Sequence, residues 1–104
     1  MDFLESGKHF ANVVRAQGWI PLVSIATAHG DRDITHHIYA MKDDEFAVFV
    51  FSNNQFLAKD SMQVFATRDE GNKDYKIMLD MARDWQRRYG YPAAKIDFTK
   101  EDAA

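Results

Sequence analysis

The sequence predicts a single small α+β domain of order α-β-β-β-β-α. It is expected to have an antiparallel sheet of about four strands, with its N- and C-terminal helices packed on one face. Three observations carry this reading. Both ends of the chain show helical periodicity, whereas its middle is built of β-branched and aromatic runs. The runs are joined by short charged or glycine-containing segments, too short for parallel crossovers. The 104 residues supply one hydrophobic core and not two, so residues 1–104 form one domain.

The first element is a helix over Asp2–Gln17. Asp2 is placed to cap it, with Glu5 three residues later, and Phe3, Phe10 and Val14 recur on one face. Gly18 stops the helix, and Pro21 cannot extend one. "WIPLVSIATA" and "ITHHIYAM" then read as two strands around the turn "HGDRD", and "FAVFVFS" as a third after the turn "KDDE". A four-residue KDDE turn sets Met41 opposite Phe46 and Ala40 opposite Ala47. A Gly30–Asp33 turn sets His29 opposite Ile34, Thr27 opposite His36 and Ala26 opposite His37. "NNQFLAKDS" is consistent with a hairpin leading into a short strand or with a helical turn, and "MQVFAT" reads as a fourth strand. From Asn72 to Tyr89 the helical period returns, with Tyr75, Met78, Leu79, Ala82, Trp85 and Tyr89 on the expected core face. Gly90 and Pro92 end this helix, and Lys95–Phe98 can add a short edge strand.

Composition narrows the function classes. Lys and Arg total 13 against 16 Asp and Glu, a net charge of −3, which argues against broad binding to a phosphate backbone. The absence of cysteine excludes disulfides, zinc–thiolate sites and thiol nucleophiles. "MDFLESGKHF" lacks the pattern of a secretory signal, and no apolar run is long enough to span a bilayer. A soluble cytoplasmic protein without a membrane association is expected.

"TAHGDRDITHHIY" holds three of the four histidines and two aspartates. In the register above, His29 and His36 share a face as diagonal neighbours, whereas His37 points to the other. His29 and His36 with Asp31 or Asp33 would make a borderline-metal site, and a His–Asp pair there would make a general base. The alternative is a solvated hairpin with His36 partly buried and hydrogen-bonded. The latter is favoured, so no metal, cofactor or catalytic residue is assigned, and a small enzyme or metal protein using His29, Asp33 and His36 is the alternative function. Ser24, Ser52 and Ser61 lie in no nucleophile-elbow context.

"RDWQRRYGYPAAK" sets Arg83, Arg87, Arg88 and Lys95 among Trp85, Tyr89 and Tyr91, a pattern able to track phosphates and stack on bases. The α-β-β-β-α order within the chain resembles, in topology, the double-stranded-RNA-binding domain, which implies shape-directed backbone contacts. The lysine-rich helix start expected of that family is absent. Helix-terminal arginines also complement a helix dipole, and this reading is preferred over nucleic-acid binding.

"EFAVFVFS" is apolar on both sides, so both sides of that strand need cover. One face collects Trp19, Val23, Ile25, Ile38, Phe49 and Phe51 and is assigned to the helices. The second collects Ala26, Ala28, His37, Tyr39, Met41, Phe46, Val48 and Val50. If open, it is an interaction surface formed by His37, Tyr39, Met41, Phe46, Val48 and Val50; if not, "NNQFLAKDS" closes it. The expected function is a small protein–protein interaction module, of inhibitor or immunity type and of phage or mobile-element origin, whose partner is another protein or a second copy of the chain.

Overall fold

The computed structural model describes residues 3–29, 33–52, 55–56 and 62–101. The chain runs α1 (Phe3–Ala16), β1 (Ile20–His29), β2 (Asp33–Lys42), β3 (Glu45–Ser52), β4 (Gln55–Phe56), β5 (Gln63–Phe65), α2 (Arg68–Tyr89), β6 (Ala93–Asp97) and α3 (Phe98–Glu101). The α+β class, the antiparallel sheet and a helix at each side of the strand series are as the sequence predicts. The expected cap Asp2 lies outside the described residues.

The sheet order is β4-β3-β2-β1-β6, and β5 shares the outer edge of β3 with β4. Phe51 and Ser52 pair with β4, whereas Phe46, Ala47 and Val48 pair with β5 at the opposite end of the strand. The pairing of Gln55 and Phe56 agrees with the hairpin reading of this segment; residues 57–61 lie outside the described residues. β6 lies at the other edge, against β1, two residues earlier in sequence than expected.

The second hairpin has the predicted register. Met41 faces Phe46 and Ala40 faces Ala47, around a tight turn in which Asp43 takes φ 53°. The first hairpin is shifted by one. His29 faces Asp33, Thr27 faces Thr35, and Ala26 faces His36. A bulge between Pro21 and Val23 further offsets the start of β1. Because side chains alternate, this shift exchanges the two faces along most of β1. Val23 and Ile25 therefore join Tyr39 and Val48, and Ala26 and Ala28 join Ile38 and His36, the reverse of the expected assignment.

The helices also differ from the expectation that they share one face. α1 covers one face of the sheet, where Phe10, Ala11 and Val14 pack with Ile38, Phe49, Phe51 and Ile96. α2 covers the other, where Tyr75, Met78, Leu79 and Ala82 pack with Ile25, Tyr39, Val48 and Phe65. The reason lies in β3, whose alternate residues are apolar on both sides and require burial on both sides. The result is three layers, helix–sheet–helix, with a core in each gap.

Two glycines mark close approach and termination. A Cβ on Gly7 would lie 2.7 Å from Ile96 Cδ1, so the glycine lets α1 approach β6 closely. Gly90 caps α2 with φ 71° and donates its N–H to the Gln86 carbonyl, the left-handed end expected from sequence. The other end of α2 is capped by Thr67, whose hydroxyl accepts from Glu70 N, while Glu70 Oε2 accepts from Ala66 N.

Candidate functional site

The histidines divide between the two cores. His36 is fully buried between α1 and the sheet. Its Nε2 lies 2.7 Å from Ser6 Oγ and its Nδ1 lies 3.2 Å from Ser24 Oγ. Ser6 Oγ also donates to the Phe3 carbonyl at 3.3 Å. One tautomer satisfies the whole chain: Ser24 donates to Nδ1, Nε2–H donates to Ser6, and Ser6 donates to Phe3. The Ser–His pairing has the partners of a nucleophile and base, but Ser6, Ser24 and His36 are all enclosed, so no substrate reaches them. This network ties the first helix to the sheet.

Burial, aided by the neighbouring His37, lowers the His36 pKa from 6.5 to about 4. The unfolded chain therefore binds the proton more readily than the folded one between those values. Stability from this residue is complete above pH 6.5 and is lost as the pH falls toward 4. About 2.5 kcal/mol should disappear between pH 7 and 4.5. Urea melts of the wild type and His36→Gln test this: their stability gap should narrow by that amount on acidification, and a constant gap would refute it.

Among the described residues, no group of three His, Asp or Glu side chains converges as a metal set. The rung of His29 and Asp33 is three rungs from that of Ala26 and His36, so positions 29 and 36 belong to opposite faces rather than one. The side chains of His29 and Asp33, and Asp31 entirely, lie outside the described residues.

The proposed open face is covered from within the chain. Tyr39 and Val48 are buried beneath α2, and His37, Met41, Phe46 and Val50 are half-buried. The cover among the described residues is α2, and most of the 53–61 segment expected to close this face lies outside them. The Tyr39 hydroxyl donates to Asp74 Oδ2 at 2.7 Å, fixing α2 to β2. Burial first, and then this bond, raise the Tyr39 pKa, so the phenol stays protonated.

The accessible apolar surface has moved outward onto α2 itself. Ile77, Met81 and Trp85 follow one another at four-residue spacing and are 58%, 45% and 38% exposed. They form one ridge along the helix. Beside it, between α2 and the sheet, opens an apolar cleft of about 210 Å³ lined by Ile25, Thr35, His37, Met78, Ala82 and Trp85, among others. Among the described residues His37 Nδ1 is buried there without a hydrogen-bond partner, and desolvation lowers the His37 pKa while Asp74 acts in the opposite sense.

Trp85 and Tyr89 were expected in the core, but both are exposed. The 22 residues of α2 span about 33 Å, and the last buried residue is Ala82, so the helix continues past its sheet contacts. Trp85, Tyr89 and Tyr91 instead pack on one another, with ring centroids 6.5 and 5.5 Å apart. Arg87 and Arg88 both reach Asp84, at 3.4 and 3.1 Å, and Lys95 lies over the Tyr75 ring on the α2 face. The four cations of this segment therefore do not form one phosphate-tracking row.

No family model, curated protein or solved structure matches the chain. The topological resemblance to the double-stranded-RNA-binding domain thus gains no support from a family match. Among the described residues, no helix is long and apolar enough to cross a membrane.

Proposed function

We propose that this protein is an interaction module that works through α2, and that the occupant of the α2 ridge is a second copy of the chain. The observation that carries the reading is the exposed Ile77–Met81–Trp85 ridge, because a contiguous apolar strip left in water favours a partner. Its sequence is self-complementary under antiparallel pairing. With Met81 at the two-fold axis, Ile77 meets the counterpart of Trp85, and Asp74 meets the counterpart of Arg88. Asp74 uses Oδ2 for Tyr39, and Arg88 reaches Asp84 through Nε, so neither group is closed to a further charge contact. The acidic residues Asp69 and Glu70 in the first turn and Arg87 and Arg88 in the last give the pair complementary ends.

A single helix pair lies at the small end of interface sizes, so association in the micromolar range is expected. Light scattering over a concentration series should show a monomer–dimer equilibrium for the wild type. Met81→Glu should leave a folded monomer, and Arg88→Glu should weaken the dimer by about tenfold at low salt. A wild type that stays monomeric at millimolar concentration would overturn self-association. Saturable capture of an unrelated protein by that monomer, lost in Met81→Glu, would instead place the module with the inhibitor and immunity-type readings.

A further inference from the structure

On the same side of the sheet as α2, but at the helix's other end, lies a cleft of about 330 Å³ that shares none of the ridge residues. We propose that this cleft binds a small aromatic anion, of up to three rings and carrying a carboxylate, sulfonate or phosphate group. The volume lies at the lower end of small-molecule sites, which suits a ligand of that size.

Two features define the ligand chemistry. The walls are aromatic, formed by Tyr39, Phe46, Phe65 and Tyr75. Two cations line the cleft, Arg68 with its guanidinium 5.6 Å from the Phe46 ring centre and Lys95 with its ammonium 5.8 Å from that of Tyr75. Among the described residues neither cation forms a salt bridge, which is notable in a chain of net charge −3.

Two acids nearby accept from local donors. Asp97, which also lines the cleft, accepts from Thr99 N at 3.0 Å and Thr99 Oγ at 2.6 Å. Asp74 accepts from Tyr39. The N-terminal turn of α2 contributes Arg68, Gly71 and Asn72 to the lining, whereas Asp69 and Glu70 of that turn are not lining residues. Cations held over aromatic walls favour negative charge on an aromatic framework.

The probe for the test is 8-anilinonaphthalene-1-sulfonate, with N-phenyl-1-naphthylamine as its counterpart lacking the sulfonate. Fluorescence titration of the wild type should show saturable binding of the anion, with the neutral probe bound at least about tenfold more weakly. Lys95→Gln and Arg68→Gln, each checked by circular dichroism, should each weaken the anion by about fivefold or more and leave the neutral probe unchanged. Met81→Gln, on the ridge, should leave anion binding within about twofold, which separates this site from the proposed dimer surface. Absence of saturable binding, equal affinity for the two probes, or loss in Met81→Gln without loss in the two cation variants would each overturn the proposal.

Discussion

Phe49→Ala is expected to destabilise the protein by about 3–5 kcal/mol, a large share of the total stability of a small domain. Phe49 is completely buried at the middle of β3, beneath α1. Its ring meets Trp19 edge-on at 5.6 Å, and the adjoining Phe51 stacks on Phe10 at 4.4 Å. Truncation therefore removes the transfer energy of a phenyl group and opens a cavity between two aromatic pairs. Fully packed surroundings have little freedom to collapse into that space. Urea denaturation should show a lower midpoint with an unchanged slope. A loss below about 1 kcal/mol would mean that the α1 layer is not the principal core.

The architecture was legible where local chemistry decides. Alternation in "EFAVFVFS" and the two-residue turn in "KDDE" fix the second hairpin, because a tight turn leaves one register. The first hairpin was misread for the same reason in reverse. Its connection carries no single preferred turn, and the bulge at Leu22 has no marker beyond the neighbouring proline. A one-residue error there moved Val23, Ile25, Ala26 and Ala28 to the wrong faces. Those misplaced residues made the second face look mixed and open, when Ile25 and Val23 belong in its apolar layer.

The site was legible only in part. His36 was expected partly buried and hydrogen-bonded, and the structure encloses it fully; its partners Ser6 and Ser24 are 30 and 12 residues away and no local pattern marks them. The ridge on α2 has a signal in the sequence. "KIMLDMARDW" places Ile77, Met78, Leu79, Met81, Ala82 and Trp85 over a wider arc than one sheet-facing stripe can bury. Met78, Leu79 and Ala82 take the core, so Ile77 and Met81 are left outside. The cleft at the start of α2 depends on Lys95 of β6 meeting Arg68 and Tyr75 of α2, and pairing of β6 with β1 is what brings Lys95 there.

Val48→Glu is expected to unfold the protein at neutral pH, because the face it occupies is closed within the chain. Val48 is buried opposite Tyr39 and packs in the layer beneath α2 with Phe65 and Ala82. A carboxylate there loses its hydration among the apolar side chains of Tyr39, Phe65 and Ala82. The penalty of such an ion is several kcal/mol even after relaxation. Val48→Ala provides the reference, since loss of two methyl groups should cost only about 1.5–2 kcal/mol. The excess cost of Glu over Ala then measures the charge. Burial raises the pKa of a buried carboxyl, so the folded variant binds the proton more tightly than the unfolded one. The excess should therefore shrink as the pH falls from 7 toward 4.5, while His36 titrates alike in both variants and cancels. Thermal and urea melts of both variants across this range decide the matter. A Val48→Glu protein that stays as stable as Val48→Ala at pH 7 would show that α2 opens from the sheet, and that the surface of β2 and β3 is available to a partner.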